Sequence, residues 1–265
     1  RLDCQVFFEE QIDISHFRKF IMEHKDAMPG LSTYHIISAA LIRTIIERPR
    51  LNRFVSGNKI YDRSYIRASL AAKKSMSENA DEVLVMPEFE ENATLYDVVQ
   101  NFDEKLIEAR ADADSENDTA KIVKIINILP GVLVKFVVWA LRSLDAIGKM
   151  PKIVNRLSPF HSSAFITNVG SIGLNSIYHH LYEFGTTSVF LAISKKEHVN
   201  KLQSDGSVES KLMITTKFVL DERICDGYYF STAIKHFRRL IKNPELLLVP
   251  AGETAKKADP VTTTK

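Results

Sequence analysis

Along the first fifty residues the apolar positions alternate and then wind. QVFFEEQIDI has the β-branched and aromatic content of a strand, and SHFRKFIMEHKD after it sets Phe17, Phe20 and Ile21 at helical spacing behind Ser15, the expected N-cap. STYHIISAALIRTIIERP repeats the logic: Ser32 or Thr33 is the cap, Ile36, Ile37, Ala40, Leu41, Thr44 and Ile45 share a face, and Pro49 ends the helix. NRFVSGNKIYDR then reads as a hairpin turning at Ser56-Gly57-Asn58. YIRASLAAKK and EVLVMPEF read as further strands separated by a polar loop.

TLYDVVQNFDEKLIEARAD places Leu95, Val98, Val99, Phe102, Leu106 and Ile107 at helical spacing, and acidic DADSEND breaks it near residues 111 to 118. The apolar stretch at residues 122 to 141 reads as two helices hinged at Pro130-Gly131, followed by the connector GKMPKIVNRLSPF. SAFITNVGSIG is a strand ending in a glycine-punctuated turn. TSVFLAISKKEHV and VESKLMITTKFVL are strands joined through Ser204-Asp205-Gly206. YYFSTAIKHFRRLIKN is an amphipathic helix with Phe230, Ala233, Ile234, Phe237, Leu240 and Ile241 on its apolar face. Residues 251–265 have no apolar periodicity and are expected to be a disordered tail. The order of elements predicts an α/β sandwich of two layers with a mixed sheet.

Composition narrows the functions open to such a chain. The 265 residues include 35 basic and 33 acidic side chains, a net charge of +2, with the basic residues scattered, so nucleic acid is not an expected partner. Two cysteines, Cys4 and Cys225, in no pair spacing argue against a zinc site or a disulfide framework and suit the cytoplasm. The first residues lack the apolar run of a signal peptide, although a trimmed chain would look the same. Lys124, Asn127, Pro130 and Lys135 interrupt the 122 to 141 stretch, so a transmembrane span is not expected. That stretch could pack on the core, which is the expectation, or cover a channel, fill an oligomer interface or lie on a membrane surface.

The remaining feature is chemical. LDERICDGYY ends an apolar strand with Asp221, Glu222, Arg223, Cys225 and Asp226 before Gly227. Taken alone these are solvated turn charges. Cys225 has no histidine beside it in sequence, and a small buried thiol is the usual state. Adjacent His179 and His180 are not at metal-ligand spacing, His35 reads as a core histidine, and no metal is expected.

Three stretches resemble the catalytic domain of the dihydrolipoamide acyltransferases of 2-oxoacid dehydrogenase complexes, and through it chloramphenicol acetyltransferase, over roughly residues 5 to 248. They are VFFEEQIDISHFRKF with LSTYHIISAALIRTIIERPRLNRFVSGNKI, then AFITNVGSIGLNSI, and LDERICDGYYFSTAIKHFRRLIKNPELLL. The last resembles the family motif D-H-R-x-x-D-G with Glu222 in the histidine's place. The resemblance implies a chloramphenicol acetyltransferase-like domain over residues 1–250, with a helical insertion at about 119–157. It implies acyl transfer from a coenzyme A thioester to a small thiol, hydroxyl or amine acceptor, in a homotrimer with active sites between subunits.

By the same resemblance Glu222 is the general base and Thr167 the hydroxyl that stabilises the oxyanion. Asp226 braces the loop, with Arg223 or another arginine as partner, and Gly227 permits the turn into the helix. Glutamate is a weaker base than histidine by about two pKa units, or about 3 kcal/mol, a gap that burial in an apolar channel would narrow. His161, just before the Thr167 strand, or His179-His180 after it, could stand in for the missing histidine. A catalytically inactive relative serving binding or assembly is the alternative. No lipoyl-bearing or subunit-binding segment precedes the domain in this chain, so a stand-alone enzyme is expected, although a longer precursor could carry both.

Overall fold

The computed structural model describes residues 2–73, 82–111 and 130–252. Among the described residues, nine strands form a seven-stranded mixed sheet and a small hairpin. In chain order they are β1 (Gln5–Asp13), β2 (Arg53–Ser56), β3 (Lys59–Asp62), β4 (Ile66–Lys73), β5 (Glu82–Val85), β6 (Glu88–Phe89), β7 (Ala164–Asn168), β8 (Val189–Leu202) and β9 (Val208–Asp221). The helices are α1 (Phe17–His24), α2 (Thr33–Glu47), α3 (Leu95–Ala111), α4 (Gly131–Ala146), α5 (Lys152–Leu157) and α6 (Gly227–Lys242).

The large sheet runs β1-β9-β8-β7-β4-β5, with β6 also on β4. Its centre is parallel, β4 to β7 and β7 to β8, and its flanks are antiparallel. Alternation along β7 shows why the sheet has two unlike faces. Ala164 and Ile166 join Leu191, Ile193, Phe218 and Leu220 in the main core, under apolar residues of α1, α2, α3 and α6. Phe165 points the other way, into a smaller cluster with Leu181, Phe190 and Val219.

α2 is buried almost all round, which explains why its sequence is apolar beyond a single stripe. In α6 all six residues of the expected apolar face are buried. The hairpin β2–β3 turns through Gly57 and Asn58 at φ 52° and 64°, the left-handed pair that a two-residue hairpin loop requires.

Four expectations need correction. Ser15 does not cap α1: its N–H donates to Asp13 (3.0 Å), its hydroxyl accepts from the Leu212 N–H (3.1 Å), and the helix begins behind His16. Ser32 is the N-cap of α2, but its hydroxyl meets His35 Nδ1 (3.3 Å) rather than a backbone N–H. Ile107 lies beyond the reach of the core and is exposed. The apolar helix after Pro130 has no buried residue at all, so it does not pack into the core as expected. The loop between β4 and β5, the acidic break from 112 onward, the helix expected before Pro130 and the tail from 253 lie outside the described residues.

Candidate functional site

β9 delivers its last residue, Asp221, to a corner closed by the 3-10 turn Glu222–Ile224 and the start of α6. Asp221 is 1% exposed, and its N–H donates to the Ser188 carbonyl across the sheet (3.0 Å). Its two carboxylate oxygens accept from Arg223 Nε (2.8 Å) and Nη2 (2.7 Å), a bidentate pair, and Oδ1 also accepts the Arg223 N–H (3.2 Å). That bonding holds the Arg223 guanidinium above its ordinary pKa.

Arg223 is therefore spent on Asp221, not on Asp226. Asp226 caps α6, accepting the Tyr229 N–H (2.9 Å), and the arginine nearest to it is Arg50, at 3.9 Å. Gly227 is dispensable on steric grounds: its φ is not positive and a Cβ there would meet nothing within 4 Å. Ile224 is buried beneath the turn. Burial, with Asp226 nearby, pushes the Cys225 thiol up to about 12, which leaves it almost wholly protonated and a poor nucleophile at neutral pH.

Each charge in this corner thus has a structural task except Glu222. It is exposed and, among the described residues, makes no hydrogen bond or ion pair. The apolar surroundings anticipated for it are not supplied within one chain.

Thr167 lies on β7, half-buried, opposite Ala192 of β8 and on the same sheet face as Phe165. After Asn168 the chain makes a 3-10 turn, Val169–Ile172. Gly170 is required in that turn, since a Cβ would lie 2.2 Å from the Ser194 carbonyl oxygen. His179 stacks over this face on the Phe190 ring (4.2 Å, 4°), which itself stacks on Phe165 (5.0 Å).

Strand register gives the separation of the two expected site residues. Asp221 is level with Ser188, and Thr167 is level with Ala192, four residues farther along β8 and two strands away from β9. Four residues are about 13 Å and two strand spacings about 10 Å, so the positions are roughly 16 Å apart. The structure does not bring Glu222 and Thr167 to one reacting atom within a single chain.

Each end of the sheet has its own cavity. A cleft of about 440 Å³ opens beside the corner, lined by Arg223, the β2–β3 turn, Arg142 and Asp145 of α4, and Glu183 to Thr186. A second, of about 420 Å³, lies at the far end between Asn168, Gly170, Ser194, Lys196 and the first residues of α2.

His161 is not a free base. It is buried, with Nδ1 at 2.8 Å from Ser158 Oγ and Nε2 at 3.2 Å from Asp145 Oδ1, while Asp145 Oδ2 accepts the Gly185 N–H (3.0 Å). This cluster pins the end of α4, and the partner carboxylate lies sixteen residues upstream, where spacing gave no signal for it. His35 is buried against Phe102 and near Asp103; burial lowers its pKa and the carboxylate opposes that. No group of three or more potential metal-binding side chains occurs among the described residues.

Comparison with known proteins bears on the fold. Residues 160–249, which hold β7, β8, β9 and α6, match the family model described as 2-oxoacid dehydrogenases acyltransferase (catalytic domain). A probable dihydrolipoamide acetyltransferase from Listeria monocytogenes shares the fold at a TM-score of 0.62 and 14% identity, over 90% of this chain and 84% of that one. The cubic core of the pyruvate dehydrogenase multienzyme complex matches at 0.62 and 14%, over 92% and 84%. The truncated catalytic core of the 2-oxoacid dehydrogenase multienzyme complex from Thermoplasma acidophilum matches at 0.57 and 12%, over 91% and 87%. No curated protein matches the sequence. The fold resembles that of the 2-oxoacid dehydrogenase acyltransferase catalytic domains, and residues 160–249 are similar to that family's model.

Proposed function

We propose that this chain, with a fold like that of the acyltransferase catalytic domains and residues 160–249 similar to that family's model, transfers an acyl group from a coenzyme A thioester to a small thiol, hydroxyl or amine. The observation that carries the reading is the corner after β9: Asp221, Arg223 and Asp226 are all consumed in fixing it, and they present Glu222 unpartnered beside a cleft. A rigid corner that displays one free carboxylate is suited to positioning a base.

In this reaction the Glu222 carboxylate takes the acceptor's proton as its sulfur, oxygen or nitrogen attacks the thioester carbonyl. The Thr167 hydroxyl donates a hydrogen bond to the oxyanion that forms. Collapse breaks the carbon–sulfur bond, and the coenzyme A thiolate leaves with the proton held by Glu222. Because the two groups are roughly 16 Å apart in one chain, the active site takes Glu222 from one copy and Thr167 from another. Closure against the second copy would also exclude water from the reacting groups.

The test is acyl-coenzyme A turnover with a panel of thiols, alcohols and amines, at several pH values. Glu222→Gln should lose about 10²-fold or more, as expected for a general base. Thr167→Ala should lose about 10²-fold. Native turnover untouched by Glu222→Gln would place the base elsewhere. The exposure of Glu222 favours one competing reading, a relative whose chemistry has lapsed, which would show no native turnover and a gain on Glu222→His.

A further inference from the structure

α4 breaks the rule that governs the other long helices. Its first eleven residues, GVLVKFVVWAL, contain a single charge, yet none of the helix's residues is buried. A helix apolar on nearly every side is ordinarily covered by something. Val132 (82% exposed), Phe136 (60%) and Trp139 (63%) recur at i, i+4 and i+7 and form the outermost stripe. After α4, Ile147 and Ile153 are exposed as well.

Charge identifies the cover. Lys135, Arg142, Lys149, Lys152 and Arg156 are all exposed, and none pairs with a described carboxylate. At 100° per residue, Lys135 and Arg142 lie on one flank of the Val132–Phe136–Trp139 stripe, at roughly 40–80° from Trp139 and Val132. The one acidic residue of the region, Asp145, faces inward to His161 and Gly185. The outward surface of residues 131–157 is therefore apolar and cationic, with no outward anion.

We propose that α4 and α5 dock this protein on an anionic lipid bilayer surface. The aromatic stripe enters the headgroup boundary, and the Lys and Arg flank meets lipid phosphates. No helix among the described residues is long and apolar enough to cross a membrane, so the contact is with one leaflet. A second copy of the same face is the weaker occupant, because symmetric pairing would bring like cations together. The Asp145–His161 anchor and the hydrogen bond from Ser56 to the Asp145 carbonyl hold α4 against the body, so the docked face has a fixed orientation to the corner cleft that Asp145 also lines.

Trp139 is the single tryptophan, so its emission reports the stripe directly. Full-length protein is titrated with vesicles of phosphatidylcholine alone or mixed with phosphatidylglycerol, followed by Trp139 emission and by cosedimentation. The anionic vesicles should shift the emission to the blue and carry the protein down, and added salt should weaken both. Lys135→Gln and Arg142→Gln should each weaken partitioning by about fivefold. Phe136→Ser should abolish most of it, with circular dichroism confirming an intact fold. Absence of sedimentation, or equal binding to both vesicle types, overturns the proposal. So does an emission already blue in buffer that moves red on dilution and ignores vesicles, since a second copy then covers the helix.

Discussion

Asp221 and Cys225 show how much a single position's surroundings decide. The carboxylate of Asp221 is 1% exposed, and Arg223 meets it with two parallel hydrogen bonds. Asp221→Asn should therefore lower unfolding stability by about 2–3 kcal/mol, at the low end for a broken buried pair because the Arg223 side chain is 33% exposed. Urea denaturation at neutral pH measures this, and no change would mean that the pair does not brace the corner. Cys225, held up to about 12, has only about 1 in 10⁴ of its thiol ionised at pH 8. Alkylation by iodoacetamide should leave it unmodified while the protein is folded and reach it only in denaturant. The sequence motif drew attention to this corner and to Asp226, which caps α6 beside Arg50, but not to Asp221, which takes Arg223 as its partner. An Asp and an Arg two residues apart look alike whether they point together or apart, and only the 3-10 turn brings their side chains into register.

At the scale of elements, legibility followed periodicity. α6 and the β2–β3 hairpin follow directly from spacing and turn chemistry, because a one-sided apolar stripe and a Gly-Asn pair each have a single structural solution. α4 was legible as a helix but not in its environment: apolarity records that a surface needs covering and is silent about what covers it. Register across the sheet, and with it the distance between Glu222 and Thr167, has no signature in local pattern at all. Glycines divide by the same logic. Gly185 sits at φ 95°, and a Cβ there would lie 2.2 Å from the Phe160 carbonyl oxygen, whereas Gly131 opens α4 with nothing within 4 Å. Gly185→Ala is expected to destabilise the fold by about 2 kcal/mol or more and Gly131→Ala to change it by about half a kcal/mol or less, both read from denaturation midpoints. Equal effects would mean that the segment around Gly185 relaxes freely, and α4 would then be less firmly anchored than the bonds of its Asp145 to His161 and Gly185 imply.

For the whole molecule, the separation of Glu222 from Thr167 turns a question of chemistry into one of assembly. The sheet is too stiff to bend roughly 16 Å out of register, so a reaction needing both residues requires two chains. Shared sites have a consequence that single-chain sites do not. Glu222→Gln chains retain an intact Thr167, and Thr167→Ala chains retain an intact Glu222, so two inactive proteins can complement each other. If they are unfolded together and refolded as a random equal mixture, a cyclic assembly forms about one quarter of its sites from two intact groups. Turnover should then recover to about a quarter of the native value, from a mixture in which neither parent is active. Mixing without exchange of subunits should recover nothing, which separates complementation from residual activity. A refolded mixture as inactive as its parents would mean that each chain works alone, and the base serving Thr167 would have to be sought on its own face of the sheet, where His179 lies stacked on Phe190.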